Sequence, residues 1–179
     1  MSRGARDRME QFLEVLAFSA YKHRAQRRKD RHASAYINHP IELARVLHNE
    51  GGISDSTTLS AAILHDTIED TQTTRTELAR KFGAGIAAVV MEVTDNKRLR
   101  KHTRKRLQIE HAPHTSPEGT VMKLSDKICN LRDMVGPPHG WDLERQREYF
   151  DWAKAVVDRL PRANAKLLAL FEEAYQAKP

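Results

Sequence analysis

An apolar run, Leu59-Ser60-Ala61-Ala62-Ile63-Leu64, leads without a break into His65-Asp66-Thr67-Ile68-Glu69-Asp70. A helix that is apolar on every side belongs in a core, yet this one delivers four metal-type or acid/base side chains within two turns. At about 100° per residue, one continuous helix would place His65 under Glu69 and Asp66 under Asp70. Burying such a group is costly unless a cation or hydrogen bonds compensate it. A bound metal is the economical explanation.

Apolar positions recur at helical spacing along most of the chain, with no strong period-two alternation. The sequence therefore predicts an all-α fold, a bundle of about eight to ten helices joined by short connections. Phe12, Leu13, Val15, Leu16, Ala17, Ser19 and Ala20 mark the first helix, and residues 31–38 read as a loop. His39-Pro40 opens a second helix, with Pro40 suited to its first position, and Gly51-Gly52 stop it. Ser54 or Asp55 caps a third helix, which ends in the acidic cluster. Thr74 and Glu77 match a capping box for a short fourth helix. Phe82-Gly83 breaks it, and Ile86 to Val93 continue as an apolar helix. A basic helix over 101–111 and a loop from Pro113 to Gly119 follow. Val121, Met122, Leu124, Ile128 and Leu131 line the next helix, which Gly136-Pro137-Pro138 end. Two more helices, at roughly 141–159 and 161–176, close the chain.

At 179 residues the chain fits one domain over 1–179, long enough to bury about 70 % of its unfolded surface. Its first residues lack the apolar core of a signal peptide, and no segment approaches a membrane span. Cys129 is the only cysteine, which excludes an intrachain disulfide and fits a cytoplasmic setting. The net charge of +6 is concentrated over 97–106 and from Lys22 to Arg31. Such patches attract polyanions: nucleic acid, acidic membrane or a phosphorylated small molecule. A solvated helix face accounts for any single Lys or Arg, whereas the two patches together point toward phosphate.

His65 and Asp66 are adjacent and can chelate one ion from a single turn. Further donors must come from other segments. His39 sits at a helix start behind a polar loop, and Asp126 interrupts an apolar stripe. Taken alone, His39 would serve as a hydrogen-bonding residue and Asp126 as an ion-pair partner of Lys123 or Lys127. Two imidazoles and two carboxylates make a mixed N/O site suited to manganese, iron or zinc rather than calcium. The other histidines, His23 among them, lack this context and read as ordinary.

The set His39, His65-Asp66 and Asp126 resembles the HD-domain metallophosphohydrolases. More narrowly, Arg28-Lys29-Asp30, Tyr36-Ile37-Asn38-His39-Pro40, the segment His65 to Asp70, Lys123 to Lys127 and Asn130-Leu131-Arg132-Asp133 are similar to the guanosine tetraphosphate hydrolases. Among these the chain looks most like the stand-alone small alarmone hydrolases of the metazoan SpoT-homologue type. The likeness runs on through Gly140-Trp141 and Glu148-Tyr149-Phe150. It implies an HD-domain helical bundle and a single Mn²⁺ held by His39, His65, Asp66 and Asp126. It also implies Glu69 and Asp70 as the catalytic acidic pair. Arg28, stacking on the base, and Lys29 would contact the nucleotide, and Asn130 its ribose or phosphate end. Lys101, Arg145 and Tyr149 would bind phosphates. The chain departs from the family pattern at His32-Ala33-Ser34-Ala35, where relatives often carry Gly and Pro, and at Ser125 and Cys129.

The implied activity is Mn²⁺-dependent removal of the 3′-pyrophosphate of guanosine tetraphosphate or pentaphosphate, the tetraphosphate giving GDP and pyrophosphate. That chemistry needs an activated water, a proton donor for the leaving oxygen and cations to offset phosphate charge. The same site would also suit removal of the 2′-phosphate of NADPH. A third reading, a non-catalytic nucleic-acid-binding module using the basic helix 97–111, has no need of the metal and acid residues. No specific nucleic acid and no membrane are expected as partners, and apolar positions in the last helices would support a homodimer.

Overall fold

The helix carrying the Leu59–Leu64 run, Ser56–Leu64, is buried on nearly all sides: Thr58, Ser60, Ala61, Ala62, Ile63 and Leu64 are all enclosed. It is the third of ten α-helices in a computed structural model that describes residues 3–28, 30, 32–134, 141–162 and 164–179. The expectations for Lys29, Gly136-Pro137-Pro138 and Gly140 fall outside these residues. No β-strand occurs among the described residues, so the protein is all-α, as its periodicity indicates. None of the described helices is long and apolar enough to cross a membrane. The helices group into two compact units, one drawing on Met1–Gln26 and Ala35–Thr94, the other on Arg27–Ser34 and Asp95–Pro179.

The first unit holds α1 (Arg3–Lys22), α2 (Asn38–Arg45), α3 (Ser56–Leu64), α4 (Thr67–Asp70), α5 (Arg75–Phe82) and α6 (Ala84–Val93). α3 packs on α1, α2 and α6. Asp55 is its cap, accepting from the Thr58 backbone N–H at 2.7 Å and the Thr58 hydroxyl at 2.8 Å. Such a cap contributes about 1 kcal/mol. At the far end the Ser19 hydroxyl, on α1, donates to the Ile63 carbonyl at 2.7 Å. α2 begins with buried His39 and Pro40 and runs on as a π-helical turn, Val46–Glu50, before Gly51.

The acidic cluster does not continue α3. The helix stops at Leu64, His65 and Asp66 form a turn, and α4 starts at Thr67. His65 Nδ1 lies 2.8 Å from the Ala62 carbonyl, and the Thr67 hydroxyl donates to the Leu64 carbonyl at 2.7 Å. These side chains compete with backbone N–H groups for the carbonyls that a continuing helix would use. Asp66 sits at φ −92°, ψ −4°, the sparsely populated bridge between basins. The expected vertical pairing of His65 with Glu69 on one helix is thus replaced by a corner.

Thr74 caps α5 by accepting from the Glu77 N–H at 3.1 Å, while the Glu77 carboxylate pairs with Lys22 at 3.1 Å. Between α5 and α6, Gly83 adopts φ +99°, ψ +155°, a conformation close to glycine-only.

The second unit holds α7 (Lys101–His111), α8 (Pro117–Asp133), α9 (Leu143–Val157) and α10 (Ala165–Gln176). α8 is its core helix, packed against α9 and α10, with Val121, Met122, Leu124, Ile128, Cys129 and Leu131 buried. The loop expected through Gly119 ends earlier. Ala112–His114 form a 3₁₀ turn, Ser116 accepts from the Gly119 N–H at 3.0 Å, and Pro117 takes the first helical position. α9 and α10 begin at Asp142 and Asn164, which cap them through the Arg145 and Leu167 N–H groups.

Gly83→Ala should destabilise the protein by about 1–3 kcal/mol through backbone strain alone, since an added Cβ there meets nothing within 4 Å. Thermal or urea melts check this. Gly85→Ala is the control: it lies inside α6, and its Cβ would meet only the Thr57 methyl at 3.9 Å.

Candidate metal centre and acidic pair

His39, at the first turn of α2, and His65, at the corner after α3, are both buried, with ring centroids 5.3 Å apart. A carbonyl oxygen can only accept, so the Ala62 contact requires a proton on His65 Nδ1 and turns Nε2 toward Asp66. Nε2 lies 3.0 Å from Asp66 Oδ2. A neutral imidazole nitrogen and a carboxylate oxygen at that distance are two lone-pair donors facing each other. A proton or a metal cation between them reconciles the pair. Burial raises the Asp66 carboxyl pKa. The His65 charge and hydrogen bond, His39 and the Tyr36 hydroxyl together outweigh it, and hold the carboxyl below the usual range.

Glu69 and Asp70 lie on α4 and are half-buried. The corner places Asp70 close to Asp66: its N–H donates to the Asp66 carbonyl at 2.8 Å. The Tyr36 hydroxyl is 2.5 Å from Asp66 Oδ2 and 3.5 Å from Asp70 Oδ2. Gln26 donates from Nε2 to the Asp70 carbonyl at 2.6 Å. Sequence reasoning assigned no role to Tyr36, Gln26 or Ser19. Ser19 and Gln26 offered only their polarity near the end of a helix as a signal, whereas Tyr36 opens the family-like segment Tyr36 to Pro40.

In the second unit, Asp126 lies on α8 and accepts from Asn130 Nδ2 at 2.7 Å and from Lys127 Nζ at 2.9 Å. Lys127 is the ion-pair partner that adjacency allowed. Asn130, expected at a ligand's ribose or phosphate end, holds Asp126 Oδ1 in this structure. Arg28 forms an ion pair with Asp133, 105 residues away. Its loop is tied by Asp30, which accepts from the His32 N–H at 2.8 Å, the Ser34 N–H at 3.2 Å and the Ser34 hydroxyl. Ala33 takes φ +47° in this loop, a left-handed value that favours glycine.

Lys101, Arg145 and Tyr149 come together around Trp141. Arg145 lies 4.1 Å and Lys101 5.8 Å from the centre of that ring, and the Tyr149 ring is 5.8 Å away. Lys105 sits over Trp152 at 4.7 Å, and Trp152 Nε1 donates to the Lys105 carbonyl at 3.0 Å. Lys101, Lys105, Trp141 and Arg145 help line a cleft of about 260 Å³. Burial lowers the Lys105 ammonium pKa, as does the neighbouring Lys101 charge. Burial, with the Asp126 and Asp133 carboxylates nearby, pushes the Tyr149 phenol well above 10.

The HD domain family pattern matches residues 15–151. The chain is 52% identical over 169 residues to the guanosine-3′,5′-bis(diphosphate) 3′-pyrophosphohydrolase MESH1 of Homo sapiens, covering 94% of each chain. It is 51% identical over 156 residues to the enzyme of that name from Xenopus tropicalis, covering 87% of each. A solved structure, described as a metazoan ortholog of SpoT that hydrolyzes ppGpp and plays a role in starvation responses, superposes with a TM-score of 0.90. Its sequence is 45% identical, and the match covers 93% of this chain and 94% of that one.

Tyr149 gives the second unit a pH signature. A raised folded-state pKa means its contribution to stability is complete below the unfolded value of about 10 and is lost as pH rises toward the folded value. Urea unfolding between about pH 9 and 11 should show that decline, and Tyr149→Phe should make it shallower.

Proposed function

This chain belongs to the HD domain family, on the branch of the guanosine-3′,5′-bis(diphosphate) 3′-pyrophosphohydrolases; from that premise we propose that it removes the 3′-pyrophosphate of guanosine tetraphosphate in the cytoplasm, giving GDP and pyrophosphate with Mn²⁺ as cofactor. The observation that carries the metal-dependent part is the apposition of His65 Nε2 and Asp66 Oδ2, with the His39 ring facing His65. This donor set of imidazoles and carboxylate fits a first-row divalent ion. In this reading Asp126, steadied by Asn130 and Lys127, is the fourth donor. The ion, when bound, lowers the pKa of a coordinated water from 15.7 toward about 7–9.

The rest is the work of side chains. One carboxylate of Glu69 and Asp70 accepts a proton from the attacking water. The other protonates the 3′-oxygen as the bond from that oxygen to phosphorus breaks and pyrophosphate leaves. Arg28 is held by Asp133, and an ion-paired guanidinium keeps its flat face available for a purine, which a lysine could not offer. Lys101 and Arg145, packed on Trp141, are suited to offset phosphate charge. Lys29 completes the proposed nucleotide contacts.

The test is product analysis after incubation with guanosine tetraphosphate and Mn²⁺, against a chelator control. GDP plus pyrophosphate, abolished by the chelator, is expected. Intact tetraphosphate from metal-replete protein, alongside release of phosphate from NADPH, would overturn the substrate assignment. Asp66→Ala should lose metal and activity together. Glu69→Ala should keep the metal and lose at least about 100-fold in kcat, and full activity would remove Glu69 from the acidic pair.

A further inference from the structure

The last turn of α1 and the turn that follows it carry three polar side chains, Ser19, His23 and Gln26, two of which bond the backbone on either side of the corner. Ser19 holds the Ile63 carbonyl at 2.7 Å, two residues ahead of His65. Gln26 Nε2 donates to the Asp70 carbonyl at 2.6 Å, so its amide oxygen faces the other way, toward His23 Nδ1 at 2.6 Å. That oxygen can only accept, which puts the proton of a neutral His23 on Nδ1. His23 is 2% exposed, and its Nε2 is buried without a hydrogen-bond partner among the described residues. Its ring lies against Tyr36, with centroids 4.9 Å apart and planes tilted by 33°. Tyr36 is also tied by its backbone N–H to the Gln26 carbonyl at 3.3 Å.

A histidine enclosed in this way, with one nitrogen unsatisfied, costs stability. What it provides is a fixed wall for Tyr36 and a fixed rotamer for Gln26. Both act on the carboxylate-bearing corner. The Tyr36 hydroxyl lies between Asp66 Oδ2 and Asp70 Oδ2, and Gln26 anchors the backbone of Asp70. Two like-charged carboxylates tend to rotate apart. One neutral donor directed at both opposes that tendency, and the charge-assisted bond to Asp66 is the stronger of the two.

We propose that Tyr36 is a positioning residue that sets the orientation of Asp66 and Asp70, and that His23 and Gln26 hold it in place. The proposal rests on the reading of Asp66 as a metal ligand and Asp70 as part of the acidic pair. It adds a layer that does not touch the substrate. Outer-shell partners of metal ligands typically govern affinity or activity by about 10–100-fold.

Tyr36→Phe keeps the ring against His23 and deletes only the hydroxyl. Calorimetric titration with Mn²⁺ alone should show affinity about 10-fold weaker, with the melting temperature essentially unchanged. If the wild type hydrolyses guanosine tetraphosphate, kcat should fall by a similar factor while KM holds. His23→Leu should weaken Mn²⁺ binding in the wild-type background and have little further effect in Tyr36→Phe, the non-additivity of residues acting through one group. Wild-type Mn²⁺ affinity and kcat in Tyr36→Phe would overturn the proposal. So would a rise in KM alone, which would put Tyr36 on the substrate, or losses that simply track a lowered melting temperature. Because the Mn²⁺ titration needs no substrate, a wrong substrate assignment leaves it readable. A wild-type chain that hydrolyses the tetraphosphate beside an unaltered Tyr36→Phe sinks this proposal alone.

Discussion

The contact between His65 Nδ1 and the Ala62 carbonyl is made by a ring that is only 8% exposed. It occupies a carbonyl that the helix would otherwise use, and so helps to end α3 at Leu64. It settles which ring nitrogen carries the proton, and therefore which one faces Asp66. It leaves the chain at a turn, after which α4 starts at Thr67 and carries Glu69 and Asp70. One side chain thus terminates an element, selects a tautomer and aims a donor. The apolar run makes this arrangement stable, because burying α3 between α1, α2 and α6 supplies stabilisation that the polar corner lacks.

What the sequence disclosed follows the range of each interaction. The apolar run, the caps at Asp55 and Thr74 and the basic helix at 101–111 are local patterns, and the structure has them at those places. The corner at His65 was not legible. Helical periodicity continues straight through Asp66, and only the competition of His65 and Thr67 for nearby carbonyls interrupts it. The proximity of Asn130 to Asp126 is a helical neighbour relation and could be anticipated. The pairing of Arg28 with Asp133 has no periodic signal at all. Tyr36 stands in the segment that resembles the family, Tyr36 to Pro40, but spacing alone gave it no role. His23 was set aside because nothing local separates a buried histidine from an exposed one.

The basic stretch in α7 shows how a run of charge is divided once it folds. Arg106 pairs with Glu110 at 3.4 Å and Arg104 with Asp95 at 3.6 Å, as a solvated or half-buried face would. Lys101 and Lys105 instead pack on the faces of Trp141 and Trp152. Ring faces hold a cation without neutralising it, whereas a carboxylate partner cancels most of its field. Ring faces and carboxylates thus divide this basic run between two kinds of partner. Asp142, Glu144 and Glu148 line the 260 Å³ cleft together with Lys101, Lys105 and Arg145, so acidic and basic groups share it.

Asp126 has an obligation beyond any ligand. Its neighbour Lys127 is almost fully enclosed, with 4% of its side chain exposed, bonded to Asp126 at 2.9 Å and lying over Trp152 at 4.5 Å. Removing Asp126 would strand this ammonium, and because the carboxylate is itself 23% exposed the cost falls below the about 3–5 kcal/mol of a fully buried pair. A lineage that drifted toward losing this donor would lose stability in the same step. Loss of Asp126 would therefore be felt in the packing of this unit as well as at any ligand.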